Sequence, residues 1–296
     1  MNPLGLPVIL TCVVIVLLVH GALLALARWQ DREHPPVTGK LLRSPGEHLR
    51  TRLNYLEERT SWLILVTSSV PLLVLLVGAL VIASRAPEAH GLVTPIGFAV
   101  GFVLTAGTGG FFLHDTLAAR RRSRYALQGH RIVNDSLAAL VPSGFKVFHD
   151  VPTDAGDLDG YLHHVVIGAS GIFVIEASTP AIRPTIPGRK PQEIIYDGDQ
   201  LIYPWGQDTA GLVPARRKAE WLTEWIYQLV GERIPISAVL TFPGWWVTST
   251  AFRDIRVCNP NQFAALILQT PKVAMSDQIY ERLARQLEIR CRDVEL

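Results

Sequence analysis

The sequence predicts two parts: an α-helical membrane anchor of three transmembrane helices, then an α/β cytoplasmic domain with a mixed sheet flanked by helices. Three observations carry this. The 296 residues are 49% hydrophobic and 18% charged, where soluble domains run nearer a quarter charged. The missing charge is concentrated in three runs without Asp, Glu, Lys or Arg: Asn2–Ala27, Ser61–Ser84 and Gly91–Leu113, of 26, 24 and 23 residues. Beyond them polarity becomes ordinary, and helix-period and strand-period segments alternate. The apolar content and a net charge of +2 exclude a disordered chain, and three cysteines exclude a disulfide scaffold.

Each run is long enough for the roughly 20 residues that a helix needs to cross hydrocarbon. The expected spans are about 6–27, 61–84 and 92–113, within a membrane region 1–114. Ala25-Leu26-Ala27 resembles a signal-peptidase site, but no Lys or Arg precedes the apolar core, which is also too long for a signal peptide. Seven Lys or Arg lie between spans one and two, only Arg85 between two and three, and Arg120, Arg121, Arg122 and Arg124 after span three. By the positive-inside rule the N-terminus is outside and the C-terminal domain cytoplasmic. Membrane lipids are therefore expected partners. Gly97-x-x-x-Gly101 permits close helix approach, so protein partners or a homo-oligomer through the spans are also expected.

In the first loop, Ser44-Pro45-Gly46-Glu47 reads as a helix start, with Leu49, Leu53 and Leu56 on one face, giving an amphipathic helix over 45–59. The domain 115–296 balances 20 basic against 20 acidic residues, which argues against a broad basic face. Its expected elements begin with a helix over 117–140 and a strand over 145–149. Buried strands over 161–167 and 172–177 follow, then a hairpin around Asp197-Gly198. A helix over 209–230, strands over 236–242 and 255–257, a helix from Asn259-Pro260 and a last helix capped by Ser276 complete it.

Four segments carry a resemblance: Gly129-His130-Arg131-Ile132-Val133-Asn134, residues 145–151, Leu162-His163-His164 onward to Gly168, and residues 171–176 ending in Glu176. Together with Pro204-Trp205-Gly206-Gln207, they resemble the nuclease-related domain, NERD, over about residues 125–270. The resemblance implies a restriction-endonuclease-like fold and DNA as a partner. It also implies a site with two Glu, one Asp and a Lys, whose carboxylates hold a divalent metal such as Mg²⁺ or Mn²⁺. In this sequence Glu176 matches the second Glu. His130 stands in place of the first Glu, His163 in place of the Asp, and Ser178 in place of the Lys.

These four are the candidate catalytic residues. His130, His163 and Glu176 are the candidate metal ligands, with Asp157 or Asp159 as helpers, and imidazole shifts the preference toward Zn²⁺. Three functions are compatible with this: a DNA-handling or interaction module with a degraded nuclease site, an active metal-dependent nuclease with a substituted His/Glu site, or a membrane scaffold. The expected location is the bacterial inner (cytoplasmic) membrane.

Overall fold

The computed structural model describes residues 40–84, 93–154, 160–251, 253–273, 275–292 and 294–295. The expected span at 6–27, and Asp157 and Asp159, lie outside the described residues. The described chain forms two compact units, one containing Leu53–Arg121 and the other 40–52 with Arg122–Leu296.

Two long helices dominate the first unit. Helix α1 is Glu47–Ser84 and helix α2 is Val93–Ala138. Stretches of 18 residues within them reach mean hydropathies of 2.5 and 1.8, so both are long and apolar enough to cross a membrane. Phe98 lies over Gly78, and Thr67 over Gly109, so the helices pack antiparallel. Their outer faces expose Leu72, Val103, Leu104 and Phe111. Ser68 and Ser69 return their hydroxyls to carbonyls of their own helix, which satisfies them without water.

Two expected boundaries are absent. The amphipathic helix at 45–59 is the first part of α1, and the helix at 117–140 is continuous with the third expected span in α2. Neither junction holds a Gly or Pro, so nothing interrupts the backbone ladder.

In the second unit, β1 (Lys40–Leu41) pairs with the C-terminal β11 (Val294–Glu295). The central sheet uses β2 (Lys146–Pro152), β3 (Tyr161–Gly168), β4 (Gly171–Ala177), β8 (Ile236–Thr241) and β10 (Ile255–Cys258). Its order is β10-β8-β4-β3-β2, with β2, β3 and β4 antiparallel and β4, β8 and β10 parallel. The mixed sheet flanked by helices is therefore observed. A second sheet, of which only the hairpin around Asp197-Gly198 (β5 and β6) was expected, has the order β7-β6-β5-β9. It is built from β5 (Glu193–Tyr196), β6 (Leu201–Tyr203), β7 (Gly206–Asp208) and β9 (Trp246–Ser249). β9 was missed because it is four residues long, and of these only Val247 is buried.

Alternation along the strands separates two apolar cores. Phe173 and Ile175 of β4 pack with Val133, Leu137 and Leu140 of α2 and with Phe263 and Ile267 of α4 (Phe263–Leu268). Ile172 and Val174 pack with Leu212, Ala215, Leu222 and Ile226 of α3 (Leu212–Val230) and with Leu283 and Leu287 of α5 (Asp277–Cys291). Ser276 caps α5 as expected, accepting from Ile279 N–H. Cys258 and Cys291 are buried thiols, in no disulfide among the described residues.

Candidate functional site

The site lies at the ends of β2 and β4, the start of β3, the first turn of α1, and points along α2 and α3. On β4 the alternation that buries Ile172 and Val174 under α3 places Glu176 on the same face. There Lys218 of α3 puts its ammonium 2.6 Å from Glu176 Oε2. Both side chains are buried, at 3% and 7% exposure, so little water screens the pair. His163 N–H donates to the other oxygen, Oε1, at 3.2 Å. Burial pushes the Glu176 carboxyl above the usual carboxylate range, and the Lys218 charge works against that push.

His163 Nδ1 lies between a donor and an acceptor. It is 3.1 Å from Ala177 N–H and 3.2 Å from Glu176 Oε2. The His163 and His130 rings meet edge to face, with centroids 4.4 Å apart. His130 is 2% exposed, and its Nδ1 is buried without a partner. Burial lowers its pKa to about 4, and lowers His163 well below the ordinary value. Both are neutral imidazoles at pH 7. Gly129, beside His130, is a close-approach glycine: a Cβ there would fall 2.4 Å from Thr179 Cγ2.

Three participants escaped the sequence reading. His48, in the first turn of α1, stacks on Tyr161 and lies 5.7 Å from the His163 ring and 5.6 Å from that of His130. Asp150, fully buried, accepts two hydrogen bonds on Oδ2, from His48 N–H and His48 Nδ1, each 2.8 Å. A carboxylate on a first-turn N–H is favoured by the helix dipole. Asp150 has φ +48°, the left-handed region a non-glycine residue seldom occupies. Lys218 is the third. Its signal was present, since it interrupts the apolar stripe Ala215, Ala219, Leu222 on α3. His48 had none, because a loop helix 82 residues before His130 reads as solvent-facing.

Ligating atoms of His48, His130 and His163 lie within 4.8 Å of one another. The structure brings His130 and His163 together, but the third member of the cluster is His48, while Glu176 is held by Lys218. Ser178 contributes its backbone N–H to Thr241 O at 2.9 Å, and the ammonium beside Glu176 belongs to Lys218. His164 turns to a different partner, His149, with Nδ1 atoms 2.8 Å apart.

A hard Mg²⁺ ion takes oxygen ligands. Among the described residues the cluster offers the carboxylates of Glu176 and Asp150. Glu176 has both oxygens engaged, and Asp150 has only Oδ1 unpartnered. The residues present do not fit Mg²⁺.

No curated protein and no solved structure matches the chain. Residues 126–243, which contain His130, Asp150, His163, Glu176 and Lys218 but not His48, match the family model of the nuclease-related domain, NERD, and this match supports that family for the domain.

Proposed function

We propose that this protein is a membrane-anchored, nuclease-related DNA-handling or interaction module that has lost Mg²⁺-dependent hydrolysis. The observation that carries the reading is the 2.6 Å Lys218–Glu176 pair. It commits the one carboxylate kept from the family pattern to an ammonium rather than to a metal. DNA as a partner rests on the family match over residues 126–243. The anchor rests on two long apolar helices with outward-facing Leu, Val and Phe. With the Lys and Arg distribution, these support an inner-membrane protein whose C-terminal domain is cytoplasmic.

A second reading, metal-dependent cleavage by a substituted site, is favoured by the 4.4 Å approach of His130 to His163. One experiment separates the two. Carbonate-washed membranes are solubilised in detergent, and the purified chain is incubated with single- and double-stranded DNA plus Mg²⁺, Mn²⁺ or Zn²⁺. The expected result is recovery in the membrane fraction, salt-sensitive DNA binding and no cleavage. Cleavage that disappears in Glu176→Ala would establish the second reading, and neither binding nor cleavage would leave a membrane scaffold.

A further inference from the structure

The match to the nuclease-related family begins at residue 126, yet the cluster of ligating side chains found among the described residues draws one member from residue 48. Two of its three imidazoles share a second feature: each has Nδ1 against a buried carboxylate. His48 Nδ1 is 2.8 Å from Asp150 Oδ2, and His163 Nδ1 is 3.2 Å from Glu176 Oε2. A carboxylate that takes the Nδ1 proton holds the ring and leaves Nε2 as the lone-pair donor. That is the outer-shell arrangement of histidine-ligated metals. The third imidazole, His130, is 2% exposed with an unpartnered Nδ1. Burying an imidazole without partners is costly, and a ligand would relieve that cost.

We propose that His48, His130 and His163 form a binding site for a divalent transition-metal ion, with Asp150 and Glu176 as the outer carboxylates that orient His48 and His163. The donor set selects the metal class. Three imidazoles suit Zn²⁺, Co²⁺ or Ni²⁺ and disfavour Mg²⁺. Around a tetrahedral zinc, ligand nitrogens lie about 3.3 Å apart. From separations within 4.8 Å, capture draws the rings inward. It also selects one tautomer of His163, with Nδ1–H donating to Glu176 rather than accepting from Ala177 N–H. The Lys218 charge is cancelled within its pair with Glu176, and Asp150 supplies negative charge beside the ion. Asp150 in a left-handed backbone is explained by the same arrangement, since that conformation is stabilised by its grip on two groups of His48. The inference stands apart from the question of DNA cleavage.

The test is metal binding by the full chain in detergent after chelator stripping. Co²⁺ or Zn²⁺ is titrated and followed by cobalt d–d absorption, by metal analysis after dialysis, and by thermal stability. One ion per chain is expected, with no competition from Mg²⁺ in large excess. His48→Gln and His130→Gln should each weaken binding more than tenfold. Asp150→Asn should weaken it about 10- to 100-fold. Glu176→Gln should weaken it too, while His149→Gln leaves it unchanged. Wild-type protein that holds no ion, or holds it equally after His48→Gln with native circular dichroism, would overturn the proposal. DNA cleavage or its absence bears on neither outcome.

Discussion

Glu176 and Lys218 form a buried ion pair whose worth depends on both members being present. Removing one leaves a charge in a poorly solvated place, which costs more than the pair contributes. Lys218→Met should therefore lower unfolding free energy by about 3 kcal/mol or more, read from urea midpoints. Glu176→Gln combined with Lys218→Met should recover most of the loss, because a neutral amide is far cheaper to bury than a carboxylate. A loss equal in single and double variants would show that Lys218 acts through packing alone. At this scale the sequence was partly readable. Glu176, His130 and His163 were singled out from their positions in recurring segments; the His130 and His163 rings lie side by side, and Glu176 lies against His163. Lys218 sits 42 residues from Glu176, and no spacing rule links a strand end to a point on a later helix.

The helices and strands position these side chains through a few close approaches. Gly46, with φ +73°, starts α1; a Cβ there would fall 2.7 Å from Leu127 Cδ1 and 3.4 Å from His130 Cβ. Gly46→Ala meets both the left-handed backbone cost and this crowding, so a loss of about 1–2 kcal/mol is expected. Helical content should stay near wild type, as a combined denaturation and circular dichroism series would show; an unchanged midpoint would contradict the packing. The strands β2, β3 and β4 and helix α5 were legible because their apolar periods and caps are local properties. The second sheet was only partly so, because β7 is a three-residue edge strand, and the four-residue edge strand β9 pairs with β5, some fifty residues earlier. The fusion of 45–59 into α1 was also illegible, since an amphipathic helix and an apolar helix joined without a breaker leave no boundary to read.

Over the whole molecule, the histidines whose pKa burial lowers, His130, His149, His163 and His164 among the described residues, make stability depend on pH. Burial lowers His149 from 6.5 to about 4, and holds its partner His164 well below the ordinary histidine value. An unfolded histidine titrates near 6.5. Above that pH both states are neutral and stability is full. Between about 6.5 and 4 the unfolded chain binds a proton that the folded His149 does not, so stability falls as pH falls. At about 1.4 kcal/mol per pKa unit, His149 alone contributes up to about 3 kcal/mol of this loss. For metal-free protein, denaturation midpoints should drop between pH 7.5 and 4.5, and His149→Gln should flatten the slope. A profile already flat in the wild type would contradict burial of the neutral pair.

The sequence by itself pointed to the apolar helices, the α/β character of the second unit and three of the positions, His130, His163 and Glu176, gathered in the candidate site. These follow from composition and period, which are written locally and need no knowledge of what packs where. Only the tertiary structure decided what surrounds Glu176. It brought Lys218 from α3, His48 from the start of α1 and Asp150 from a left-handed turn in β2. The physical reason is that ion pairing and ligand convergence depend on distances of about 3 Å between atoms tens of residues apart. Such distances are set by strand order and helix docking, and no local pattern encodes them.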